Sequence, residues 1–222
     1  MKVRKILICL FVSLFLISVS ACSAEKEMSE TDPNVDMVEE TAKEENDAAS
    51  QKILVVYFSR TGEQYNVGTI DKGNTAIVAE MIAEYTDADL FEILPETDYY
   101  PYTYAELTDV AKKELNENVR PAYQGSIDLD GYDIIFIGAP VWWGDWPMIM
   151  YTFFENNDLA GKTLIPFNTH EGSGLSGFDK KLQTVCKDSS VLEGLSIRGK
   201  DAQSDQDKTS SKVREWLAKL GY

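Results

Sequence analysis

From residue 51 onward the apolar positions alternate between two periods. Lys52 to Phe58 (KILVVYF) is a nearly unbroken, β-branched run, the pattern of a strand covered on both faces. Thr75 to Tyr85 changes period and sets Val78, Met81, Ile82 and Tyr85 on one helical stripe. A second strand is predicted over Leu90 to Leu94, a helix over Tyr104 to Asn116, and a third strand, the most hydrophobic, over Tyr132 to Ile137. Pro147 to Glu155 starts a helix, because proline suits the first helical turn. Lys162 to Phe167 is a fourth strand, Phe178 to Lys187 a helix, and Val191 to Ile197 a fifth strand. Asp205 to Leu220 closes the chain with Val213, Trp216, Leu217 and Leu220 on one face. Five strands alternating with helices predict an α/β fold, a doubly wound parallel sheet with helices on both faces. Ligands of such sheets lie beyond the carboxyl ends of strands, where the strand order reverses. The informative loops are therefore those after the first, third and fourth strands.

The first of these reads Ser59-Arg60-Thr61-Gly62, then makes a detour of 11 residues from Glu63 to Gly73 before the helix opens at Asn74-Thr75. Without the detour the loop is S-R-T-G-N-T between a strand and a helix. Hydroxyls of Ser59, Thr61 and Thr75, with free N–H groups at a helix start, are the donors a phosphate needs, and Gly62 allows close backbone approach. These groups need not be contiguous, and loop-closure entropy grows slowly with length, so an outward excursion is tolerated. Gln64, Tyr65 or Asn66 is expected to fold near the ligand's rim. The second loop, Gly138 to Pro147, carries Trp142, Trp143 and Trp146 within five positions. Indoles are large flat surfaces whose N–H seeks a partner; an exposed aromatic patch for a protein partner is the alternative. The third loop, Asn168 to Gly174 (NTHEGSG), sets a serine between two glycines, leaving backbone N–H groups at Gly172, Ser173 and Gly174 available to a polar ligand edge.

Together the S-R-T-G…N-T, A-P-V-W-W-G and T-H-E-G-S-G segments resemble those of short-chain flavodoxins, and the resemblance spans Lys52 to about Tyr222. It implies a five-stranded sheet in the order 2-1-3-4-5 and a non-covalent FMN that passes electrons. Carried across by position, Ser59, Arg60, Thr61, Gly62, Asn74 and Thr75 surround the phosphate. Pro140, Val141, Trp142, Trp143 and Gly144, with Thr169, His170, Gly172, Ser173 and Gly174, flank the ring. Either Trp142 or Trp143 is the stacking indole. Asp145 and Glu171 near the ring disfavour added negative charge by Coulomb repulsion, which predicts a favoured semiquinone or a low-potential donor.

Composition changes the picture at the N-terminus. Lys2, Arg4 and Lys5 precede an apolar run from Ile6 to Val19, the layout of an export signal and shorter than the roughly 20 residues a spanning helix needs. Val19-Ser20-Ala21-Cys22 resembles a bacterial lipobox, which implies a signal over residues 1–21 and lipid on Cys22; an ordinary signal peptide with an incidental cysteine is the alternative. Residues 23–50 hold ten acids, two lysines and no aromatic, the composition of a disordered tether with a reach of roughly 30 Å. The expected location is outside the cytoplasmic membrane, lipid-anchored. Residues 51–222 form one domain whose last cysteine, Cys186, has no disulfide partner and is expected to be a buried apolar group.

The chain's net charge of −16 argues against nucleic acid. One histidine without a nearby thiol does not make a zinc site. His170 is either a proton donor to the reaction or a neutral loop residue. A hydrolase built on Ser59, His170 and Asp145 lacks the G-x-S-x-G elbow. A flavin-free binding module is the rival outside enzymology. Between an electron carrier and an FMN-dependent reductase of a quinone or other small molecule, the sequence leaves the choice open. The expected redox partner is a membrane dehydrogenase or quinone system.

Overall fold

The computed structural model describes residues 51–222 apart from Asp98. The expected export signal, the expected lipid site at Cys22 and the expected tether lie outside the described residues. In chain order the elements are β1 (Ile53–Tyr57), β2 (Gly62–Gln64), β3 (Gly68–Ile70), α1 (Asn74–Thr86), β4 (Asp89–Glu92) and α2 (Tyr104–Glu117). They continue with β5 (Ile134–Pro140), α3 (Met148–Asn156), β6 (Thr163–His170), α4 (Phe178–Val185), β7 (Ser190–Val191), β8 (Leu195–Arg198), α5 (Gly199–Ser204) and α6 (Gln206–Leu220). The main sheet runs β4-β1-β5-β6-β7, with β8 also on β6, and every pairing in it is parallel. This is the predicted order, and β1 stands at its reversal.

The unbroken apolar strands are explained by two cores. Leu54, Val56 and Phe58 of the β1 segment face a layer with Phe153 of α3 and Phe178 of α4, while Val55 and Tyr57 face Val78 and Ile82 of α1 and Val213 and Trp216 of α6. Period-two side chains thus find apolar cover on both sides. Where β5 and β6 run together, Gly138 has no room for a side chain: a Cβ there meets the Phe167 ring at 2.0 Å. Cys186 is buried and free, and burial pushes its thiol up to about 11.

Three features depart from the sequence expectation. The detour contains an antiparallel hairpin, β2 with β3. The fifth strand is split into β7 and β8, and the cause lies in the neighbouring strand. Leu192 N donates to Leu164 O, so the even positions of β6 face this edge, and Pro166 among them has no N–H to give. The ladder resumes only where Leu195 aligns with Phe167. Finally, Gly199 to Ser204 is helical, an element with no apolar stripe to announce it. No helix among the described residues is long and apolar enough to cross a membrane.

Candidate functional site

The two ends of the first loop are pressed together. Ser59 Oγ accepts from Ala76 N at 3.0 Å, capping α1 from the far side of the detour. Gly73 lies against it so closely that a Cβ would stand 2.1 Å from Ser59 Oγ. Thr75 and Thr169 are buried and share a hydroxyl–hydroxyl hydrogen bond of 2.8 Å, which joins the first loop to the third. Gln203 of α5 donates to Lys72 O at 2.7 Å and to Asn74 Oδ1 at 2.9 Å, fixing the start of α1 from below. The N–H groups of Asn74 and Thr75 have no partner among the described residues, and the first turn of α1 carries no acid. That end of the helix is a ready anion site.

The cations of this loop are committed elsewhere. Arg60 donates to Glu63 O at 2.8 Å, to Tyr102 O at 2.7 Å and to Pro101 O, and burial lowers its pKa. Lys72 pairs with Glu80. An anion at the start of α1 is therefore met by backbone amides rather than by a formal charge.

In the second loop, Trp142 and Asp145 exchange both backbone hydrogen bonds around a two-residue turn, Trp143 (φ 52) and Gly144 (φ 75). Positive φ at both central positions is the hairpin-type turn that favours Asn-Gly, and holding a tryptophan there costs about 1–2 kcal/mol. The turn sends the two indoles in different directions. Trp142 packs edge-on against Phe58 (5.4 Å) and Tyr100 (5.0 Å), whereas Trp143 stays half exposed and donates Nε1–H to Thr108 O at 3.0 Å. Lys112 Nζ lies 4.8 Å from the Trp143 ring centroid. The third tryptophan of the cluster is a core residue: Trp146 is buried, stacked on Phe178 at 3.8 Å. Asp145, expected beside a ring, instead accepts from Trp146 N and Tyr151 Oη and pairs with Lys181 at 3.2 Å.

The third loop folds around its histidine. His170 Nδ1 accepts from Gly172 N (2.8 Å) and Gly174 N (3.2 Å), so the ring proton sits on Nε2. These two N–H groups are consumed inside the loop and are not available to a ligand edge, a correction to the sequence expectation. Burial first, then repulsion by Arg198, lowers the His170 pKa and keeps the ring neutral at pH 7. Glu171 Oε1 accepts from Lys200 N at 2.8 Å, tying this loop to the start of α5.

The loops meet at a cavity of about 590 Å³. Asn74 enters from the first loop, Pro140 to Gly144 from the second, and Thr169 to Ser173 from the third. Ser59, Arg60 and Thr61 instead line a separate cavity of about 840 Å³ on the other side of the turn, Thr75 is buried, and Gly62 and Gly174 border neither space. A fourth wall was legible only in part: Gln64 and Tyr65 of the hairpin, expected at the ligand's rim, are joined by Tyr104, Leu107, Thr108 and Ala111 of α2, which the sequence did not mark. Leu107 and Ala111 sit one helical turn apart, a spacing that reads equally well as core.

A parallel sheet reversing at β1, an open helix start at the reversal and an aromatic-walled cavity beside it define a flavodoxin-type mononucleotide fold. The chain belongs to the flavodoxin family: residues 52–219 match the family described as Flavodoxin. Among solved structures it is similar to a protein from Bacteroides eggerthii assigned as a flavoprotein, at 32% identity over 77% of this chain and 98% of that one, TM-score 0.60. A second such protein, from Bacteroides uniformis, shares 31% identity over 74% and 98% of the two chains, TM-score 0.58. A Lactobacillus acidophilus flavoprotein in complex with FMN has the same fold at 24% identity, covering 72% of this chain and 99% of that one, TM-score 0.55. No curated protein matches the chain.

Proposed function

We propose that this chain binds FMN in the 590 Å³ cavity and acts as an electron-transfer protein held outside the cytoplasmic membrane by a lipid on Cys22. The observation that carries the reading is the continuity of one cavity from the unpartnered start of α1 at Asn74 to the indoles of Trp142 and Trp143. The residues fit the group at both ends. The amides of Asn74 and Thr75, with the helix dipole behind them, receive the phosphate. Trp142 and Trp143 offer the flat apolar surface that a ring system requires. A volume of this size is ordinary for a cofactor site.

Bound FMN supplies the capacity to take up two electrons and to release them singly. The chain's part is placement and exclusion. Thr75 and Thr169 keep the phosphate end locked to the third loop, and the indoles shield the ring from water. His170, neutral and with its proton on Nε2, holds Gly172 and Gly174 in place and so serves as the pivot of the loop. Glu171 borders the cavity and pairs with no cation among the described residues, whereas Asp145 pairs with Lys181, so Glu171 is the carboxylate that sets a low potential. The partner on this reading is a membrane dehydrogenase or quinone system.

The extension of the cavity along Leu107, Thr108 and Ala111 favours a second reading, an FMN-dependent oxidoreductase with room for a small acceptor beside the ring. Purification decides the primary claim and turnover separates the two readings. The protein is expected to be yellow and to release one FMN per chain on denaturation. A carrier shows reversible reduction but no multiple turnover with diffusible acceptors, and a reductase shows both. Cys22→Ala is expected to move the protein from the membrane fraction to the soluble fraction; unchanged membrane association overturns the anchor.

A further inference from the structure

The 11-residue detour is explained by what it places against α2. Glu63 N donates to Tyr102 O at 3.0 Å, and the Glu63 carboxylate accepts from Tyr104 N at 2.9 Å, occupying the start of α2. Arg60 spans the same junction, one guanidinium nitrogen on Glu63 O and the other on Tyr102 O and Pro101 O. Gly62 (φ +86) brings the backbone so near that a Cβ would lie 2.8 Å from Tyr102 O. A hairpin of two three-residue strands is marginal alone; these bonds pin it to the body of the domain.

The pinned hairpin delivers one side chain. Tyr65, in the tip, stacks on Tyr104 with centroids 5.5 Å apart and planes 27° from parallel. It is nevertheless 53% exposed and lines the cavity, so it fills no core. Tyr104 and Thr108 stand one turn apart on α2, and Thr108 O holds the Trp143 indole. Tyr65, Tyr104 and Trp143 thus form an aromatic row along α2 at the edge of the cavity that the Trp142–Gly144 turn enters.

Resting on the FMN reading, we propose that Tyr65 contacts the ring of the bound flavin and that Arg60 and Glu63 are its positioning residues. The insertion supplies a ring contact that the shorter loop lacks, while Arg60 serves the hairpin and not the phosphate.

Calorimetric titration of the flavin-depleted chain with FMN and, separately, with riboflavin tests this. Tyr65→Ala weakens both ligands by the same factor, about tenfold, because the lost contact is to the ring they share. Tyr65→Phe keeps wild-type affinity. Glu63→Ala weakens both by about fivefold, and Glu63→Gln restores binding, since the amide oxygen still accepts from Tyr104 N. Residual flavin fluorescence rises in the two alanine variants, whereas the thermal midpoint of Tyr65→Ala stays at the wild-type value because Tyr65 is exposed. Unchanged affinity and quenching in Tyr65→Ala overturn the proposal, as does a loss confined to FMN, which places Tyr65 at the phosphate. Absence of FMN binding by the wild type is a separate failure, that of the cofactor reading itself.

Discussion

Glu114 should make the fold less stable as pH rises. It lies in α2 at 2% exposure, with Oε2 accepting from Tyr100 Oη at 3.4 Å and Oε1 without a partner among the described residues. Burial pushes its pKa from the ordinary 4.5 up to about 7, outweighing the neighbouring Tyr99 and Tyr100 hydroxyls that act the other way. Both phenols are themselves raised, chiefly by burial, and stay protonated across this range. A folded-state pKa above the unfolded one means that the native state holds the proton more tightly. The contribution is complete below about 4.5 and is lost as pH climbs through about 7. At 1.36 kcal/mol per pH unit the wild type forfeits about 3 kcal/mol by pH 8. Glu114→Gln removes the charge, but its buried amide lacks full hydrogen bonding, which costs about 1 kcal/mol. The variant is therefore expected to be about 2 kcal/mol more stable than wild type at pH 8, and about 1 kcal/mol less stable at pH 4.5, where the carboxyl is already neutral. Urea denaturation at the two pH values measures both differences. A gap between variant and wild type that does not change with pH refutes the reasoning.

Other consequences are simpler to check. Gly138→Ala drives a methyl into the Phe167 ring and is expected to cost about 3 kcal/mol in denaturant unfolding, whereas Gly131→Ala, whose nearest neighbour is a flexible Lys52 carbon at 4.0 Å, is tolerated. His170→Ala is expected to weaken FMN binding several-fold by releasing Gly172 and Gly174, yet to leave the pH profile of binding flat between pH 7 and 8, because the ring is already neutral there. Its lowered folded pKa means that wild-type stability falls as pH drops below about 6.5, and the variant loses that part of the slope in acid titrations. Glu171→Gln is expected to raise the flavin potential by on the order of 40 mV, about 1 kcal/mol per electron, in potentiometric titration.

What the sequence disclosed was set by pattern strength. Strands such as Lys52 to Phe58 and Tyr132 to Ile137 are sandwiched between two helical layers, so their signal is strong; the α/β alternation pointed to a parallel sheet, and its order was implied by the resemblance of the three loops to short-chain flavodoxins. The break in the fifth strand was hidden, because its cause, Pro166, sits in the strand beside it. Helix α5 carries no apolar stripe and shows only through its contacts, Gln203 on Asn74 and Lys200 N on Glu171. Within the site, the loops were legible as motifs, but the destination of each side chain was not. Arg60 looked like a phosphate ligand and instead clamps the hairpin; Asp145 looked free and is paired; Trp146 looked like part of the aromatic patch and is core. Such outcomes depend on long-range partners, Tyr102, Lys181 and Phe178, that no local spacing reveals.

Quenching of FMN fluorescence on titration with the flavin-depleted protein tests the central claim most directly. One-to-one saturation with strong quenching, and weaker binding of riboflavin because it lacks the phosphate that the start of α1 receives, is the predicted result. A folded protein that leaves FMN fluorescence untouched at saturating concentration contradicts the account.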